Sequence, residues 1–139
     1  MGYWENLIDV YESWDYDSLV DEAYHLSSAV ANDIRRHYNV NDELTAALMI
    51  GAYFMDADGM VDGAESSLFR DIFEGRPIDL SGDTFVRYYK RNNWQPWVES
   101  YLRNCGRREL ENALRFGMVV CASDGFIRQE ERRRILRWT

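Results

Sequence analysis

"AALMIGAYFMDADGMVDGAE" occupies residues 46–65, and "NALRFGMVVCASDGFIRQEE" occupies residues 112–131. In each, an apolar run leads into an Asp-Gly pair, an aliphatic residue follows, and a glutamate stands six places beyond the glycine, Gly59 to Glu65 and Gly125 to Glu131. Superposing the two glycines aligns residues 45–73 with 111–139. Identical pairs are Ala47/Ala113, Leu48/Leu114, Gly51/Gly117, Asp58/Asp124, Gly59/Gly125 and Glu65/Glu131, with Val61/Ile127 a conservative match. These identities fall on one helix face and one turn, which is the mark of an internal repeat.

Each unit reads as a helix hairpin. The first helices, 45–57 and 111–122, are apolar nearly all round and are expected at the centre of the domain. Glycine inside a helix costs roughly 1 kcal/mol relative to alanine, so Gly51 and Gly117 predict a close approach, expected to be by the backbone of the partner central helix. Gly59 and Gly125 allow the positive φ that ends a helix, and Val61 and Ile127 pin the turn to the core.

The glutamates admit two readings. Asp62 and Glu65 have capping-box spacing, in which each side chain accepts a backbone N–H at the helix start. In the second unit Arg128 replaces the aspartate and has no acceptor, so Glu131 retains half of that box. The other reading is ionic. With Gly59 as the sixth position of a calcium loop, Asp56, Asp58 and Glu65 take the third, fifth and twelfth. Phe54 then takes the first position, and Val120 and Ala122 take the first and third in the second unit, so a true EF-hand is not expected. A looser oxygen site for calcium, magnesium or manganese remains open, using Asp56, Asp58, Asp62 and Glu65, completed by Asp124 and Glu131.

The rest of the chain is helical in its spacing, with little period-2 alternation. Helices are expected near 3–14, 16–38, 43–57, 63–74, from 81 or 83 onward, after Pro96, over 107–122 and over 128–138. That makes an all-α single domain of seven or eight helices spanning 1–139. In the long helix Leu19, Ala23, Leu26, Val30 and Ile34 form the apolar stripe. Pro96 suits a first helical turn, and Gly106 is expected in the left-handed conformation at a helix end.

Charge and composition narrow the function. The net charge is -8, but residues 103–139 carry nine Arg against five acids, leaving -12 on residues 1–102. The overall sign argues against nucleic-acid binding. The arginine-rich end suits an acidic protein partner, or an acidic copy of the chain in a homodimer, where its arginines are not already paired along a helix as Glu130 and Arg134 are expected to be. The longest apolar run, 46–55, is half a membrane span. No signal peptide is read at the start, and Asn6 breaks a myristoylation pattern. Cys105 and Cys121, without a C-x-x-C, are expected as reduced thiols in a cytoplasmic protein.

No catalytic pattern emerges. His25 and His37 lack zinc-protease spacing, and no phosphate-binding or nucleophile-elbow motif is present. Cys121 lies in an apolar run that suits a core thiol. Trp94 and Trp97 are either an aromatic patch for a partner or helix-packing residues. The sequence therefore points to a non-enzymatic chain.

"FMDADGMVDGAE" and "VCASDGFIRQEE", repeated in an all-helical chain of this size, resemble the TerB-like tellurite-resistance family. The resemblance implies a pseudo-two-fold helical fold and an acidic cluster that binds divalent cations. It also implies a bacterial stress, tellurite or phage-defence setting, as a partner of membrane or chaperone proteins. Asp58, Glu65, Asp124 and Glu131 match the family's motif. Arg128 and the missing acid at Ala122 depart from it. The alternative is a structural adaptor or dimerisation domain without metal.

Overall fold

The computed structural model describes residues 2–37, 43–58, 68, 71 and 82–139, without the side chains of residues 37, 58, 82–85 and 124. Among the described residues there are seven α-helices: α1 (Tyr3–Glu12), α2 (Tyr16–His37), α3 (Glu43–Met55), α4 (Gly82–Arg91), α5 (Gln95–Asn104), α6 (Arg107–Cys121) and α7 (Gln129–Leu136). Short 3-10 turns, Asp56–Asp58 and Ala122–Asp124, continue α3 and α6. No strand occurs among the described residues, so the chain is all-helical there. Of the expected helix over 63–74, only Leu68 and Asp71 are described, and both are helical.

The elements follow from local signals. Asp15 begins α2 by accepting the Ser18 N–H at 2.7 Å, and this bond holds its carboxyl below the ordinary value. The expected α2 stripe of Leu19, Ala23, Leu26, Val30 and Ile34 is buried throughout. Pro96 sits in the first turn of α5, where its missing N–H costs nothing. Trp94 and Trp97 meet edge to face at 5.3 Å and Trp97 stacks on Tyr101, all along the first turns of α5, and both tryptophans lie partly buried against the core.

Gly106 departs from expectation. Its φ of -70° and ψ of 169° are extended backbone, and it opens α6 instead of closing α5. The Glu109 carboxylate lies over the space that a side chain at 106 would take. Glycine thus serves here as a helix start that leaves room for an acid three residues on.

The core lies between α2, α3 and α6, which pack on one another, with α4 also against α3. Every residue of α3 from Ala46 to Met55 is buried. The sequence placed a neighbouring backbone against Gly117; the structure places a ring there instead. A Cβ added at Gly117 would lie within 3.0 Å of three atoms of the Phe54 ring, so α6 meets α3 through an aromatic side chain laid on a bare backbone. No helix among the described residues is long and apolar enough to cross a membrane.

Candidate functional site

The second Asp-Gly turn is the better described of the two. Gly125 has φ 101°, as the sequence predicted, and its N–H reaches the Ala122 carbonyl at 2.9 Å. Ile127 follows as a buried anchor. Arg128 then stands in extended backbone at the N-cap of α7, and its N–H donates to Glu131 Oε1 at 2.9 Å. The reciprocal bond of a full box is chemically barred, because a guanidinium only donates, and no side-chain cap bond forms from Arg128. Glu131 is 1 % exposed, so this acid on the apolar face is one of the turn's internal supports.

The structure adds an acid that sequence reasoning missed. Glu12, at the end of α1, accepts the Ile127 N–H through Oε2 at 2.7 Å. Its other oxygen takes Arg132 Nη2 at 3.2 Å, and the same nitrogen reaches Asp9 Oδ1 at 3.1 Å. Glu12 lies far outside the repeat, so comparing the two units offered no signal for it. Asp124 stands in the 3-10 turn, and its side chain is outside the described residues.

At the first turn, Asp56 is described, and its Oδ1 lies 3.0 Å from Lys90 Nζ at the end of α4. Asp58 is placed by its backbone alone, and Asp62 and Glu65 lie outside the described residues. The expected capping box of Asp62 and Glu65 therefore lies there too. Among the described residues no group of three or more His, Cys, Asp or Glu is arranged around one point as a metal would require.

Among the described side chains of the second turn, which do not include Asp124, the oxygens are turned to N–H donors more than to a common point. A divalent cation asks for several anionic oxygens converging on it. Here Glu131 and Glu12 each give an oxygen to a backbone N–H, Ala122 offers none, and Arg132 already brings positive charge to Glu12.

A third cluster joins the end of α3 to α7. The Arg134 guanidinium donates to the Tyr53 carbonyl at 2.7 Å and lies 4.6 Å over the Tyr53 ring. The Tyr53 hydroxyl donates to Glu99 Oε2 at 3.1 Å and accepts the Trp138 indole N–H at 3.2 Å. Arg134 was expected to pair with Glu130 along its own helix; it turns inward to the carbonyl end of α3, where a cation is favoured by the helix dipole. Beside it, Tyr89 is buried, and burial raises its hydroxyl far above the ordinary tyrosine value.

Other reactive groups are quiet. Cys121 is buried, as the apolar run predicted, Cys105 is half-buried, and neither forms a disulfide. Burial first, and Glu109 second, push the Cys105 thiol up to about 11, away from the thiolate a nucleophile needs. His25 is exposed on α2. An open groove of about 520 Å³ is lined by Trp14, Asp15, Asp21, Glu22 and His25. Two of its acids already serve the fold, Asp15 at the start of α2 and Glu22 as acceptor for the Tyr11 hydroxyl.

Comparison with protein-family models gave no match, and neither did comparison with curated proteins or with solved structures.

Proposed function

We propose that this chain is a non-enzymatic interaction module of TerB-like architecture, acting through a protein partner in a bacterial stress or tellurite-resistance setting. What supports the interaction-module reading is the exposed Phe126 beside Arg128 at the second turn; the direction in which burial shifts four groups accords with it. Tyr11, Tyr53, Tyr89 and Cys105 are all pushed upward by burial, away from the range where an acid or base works near neutral pH.

The TerB-like architecture draws support from three places in the fold. The two central helices meet where Phe54 covers Gly117. Gly125 takes the left-handed conformation the motif needs. Glu131, the motif's last acid, is buried and bound to the start of its helix. The pseudo-two-fold pairing of hairpins 45–73 and 111–139 belongs to this proposal, as does a cytoplasmic location.

The partner-facing element in this reading is the second turn. Phe126 is 52 % exposed at its tip, and the Arg128 guanidinium stands 5.8 Å from its ring. An exposed aromatic beside arginine is a common centre for protein contacts. The alternative, a structural adaptor or dimerisation domain without metal, shares this geometry and differs in what it binds. Affinity capture and light scattering on wild type and Phe126→Ser separate them. A protein retained by wild type and lost by the variant supports the partner reading. A homodimer that Phe126→Ser dissociates supports the alternative, and a monomer whose captured proteins ignore the substitution overturns both.

A further inference from the structure

We propose that the outer face of α1, with the groove beside it, is a docking surface for a basic amphipathic helix of another protein. This surface is separate from the second turn, and the proposal stands whether or not Phe126 meets a partner.

Helix α1 carries two apolar rows. Ile8 and Tyr11 are buried and Trp4 packs against the core, and these three fix the helix to the domain. Tyr3, Leu7 and Val10 also recur at steps of four and three, and Trp14 continues the row just past the helix end. This second row is only partly covered: Tyr3 is 56 % exposed and Val10 47 %, while Leu7 and Trp14 are half-buried. Single exposed apolar residues are ordinary on a protein surface, but a row at this spacing is a seam on which another helix packs. Glu12, which holds the second turn, projects from the opposite side of α1.

The fold holds both ends of the row in place. The Tyr3 hydroxyl donates to Glu111 Oε1 at 2.6 Å, and its ring meets Trp4 edge to face at 5.3 Å. The Trp14 ring lies edge to face with Tyr11 at 5.0 Å, and its backbone N–H reaches the Tyr11 carbonyl at 3.1 Å. Aromatic side chains already fixed in position lose little freedom on binding, which gives them weight at interfaces. From Tyr3 to Trp14 the row runs roughly 16 Å at ~1.5 Å per residue, about three turns of a partner helix.

Charge chooses the partner. Trp14 also lines the open groove of about 520 Å³, together with Asp15, Asp21 and Glu22. Asp15 and Glu22 each give an oxygen to the fold, whereas Asp21 is exposed and enters no ion pair among the described residues. Three acids beside an indole suit a guanidinium or ammonium, which gains charge-assisted hydrogen bonds and a cation–π contact. The -12 carried by residues 1–102 repels an acidic helix and steers a basic one. A second copy fits poorly, because its own basic helix, α7, has Ile135 buried in its core and no apolar face to offer.

The probe is a synthetic amphipathic peptide of about 15 residues, cross-linked to hold it helical, with leucines on one face and arginines flanking them. Its twin carries glutamate in place of arginine. Titration calorimetry against the intact chain is expected to show the arginine peptide binding at least roughly tenfold tighter than the twin. Val10→Asp should weaken that binding roughly tenfold, although the change adds an acid, and Asp21→Asn about threefold. Asp17→Asn removes the same charge from an exposed position outside the groove and should change nothing, as should Phe126→Ser. All four side chains are exposed, and melting near the wild-type temperature checks that the variants fold. Equal binding of the two peptides, or none by the arginine peptide at millimolar concentration, overturns the proposal. So does equal weakening by Asp17→Asn and Asp21→Asn with Val10→Asp unaffected, the mark of general charge attraction. A wild-type dimer in sedimentation that Val10→Asp dissociates assigns the face to a second copy and overturns it too.

Discussion

Helices α3 and α6 carry the same Ala-Leu-x-x-Gly pattern, at Ala47 to Gly51 and Ala113 to Gly117, yet they end in different surroundings. α3 is buried along its whole length from Ala46, with α2, α4, α5, α6 and α7 around it. α6 is fully buried only from Phe116 onward, and Arg115 in its middle stays partly exposed, 3.7 Å from Glu111. Glu111 also takes the Tyr3 hydroxyl at 2.6 Å, so the polar side of α6 is where α1 attaches. The shared pattern specifies the helix and its turn. The number of neighbours sets how much of the helix is apolar.

The sharpest test of this contrast lies where the two helices touch. Phe54→Ala removes a fully buried ring and is expected to cost about 3–5 kcal/mol in urea unfolding. Gly117→Ala adds a methyl into the same ring and is expected to cost about 1–3 kcal/mol. Combining Gly117→Ala with Phe54→Leu should cost less than the two single changes together, since the smaller side chain vacates the space. Strict additivity would break the claim that ring and glycine form one contact.

A smaller effect separates the roles of Glu131. As an acceptor for the Arg128 N–H it should be replaceable by glutamine with most of the stability kept, whereas Glu131→Ala should lose about 0.5–2 kcal/mol. Equal damage from both changes, measured by denaturant unfolding, would show that the negative charge is what α7 requires.

The smallest effect comes from alkali. Cys105 is raised from 9.0 to about 11 in the folded chain, so the stability it contributes is whole below pH 9 and fades as pH climbs towards 11. Tyr11, Tyr53 and Tyr89 are also raised, from an ordinary value of 10.0, and extend the loss to higher pH. Urea midpoints should therefore fall above pH 9, and Cys105→Ser should remove the earliest part of that fall. An unchanged curve for Cys105→Ser would mean that the thiol is no more shielded than in the unfolded chain.

Much of the fold was legible because it depends on neighbours in sequence. The α2 stripe, Pro96, Gly125 and the apolar 46–55 run each act through residues a few places away, and each lies where periodicity put it. Misreadings arose where a local signal had a distant competitor. Arg134 had Glu130 within reach on its own helix and went to the Tyr53 carbonyl. Gly106 had the sequence context of a helix end and became a helix start, because Glu109 folds back over it. Glu12 carried no sign of its role at all: a carboxylate on a surface helix reads as solvated until the turn it binds is folded against it.

The bond from Arg134 to the Tyr53 carbonyl spans 81 residues of chain. During synthesis at ~5–20 residues per second, Tyr53 is made some 4–16 s before its capping guanidinium. Throughout that interval the most apolar of the described helices lacks its carbonyl cap and the covering given by α4, α5, α6 and α7. The nascent chain therefore presents this helix early, with α2 alone made before it to cover it. Slowed translation over residues 82–139 is therefore expected to lower the yield of folded protein, at positions far from the helix left open.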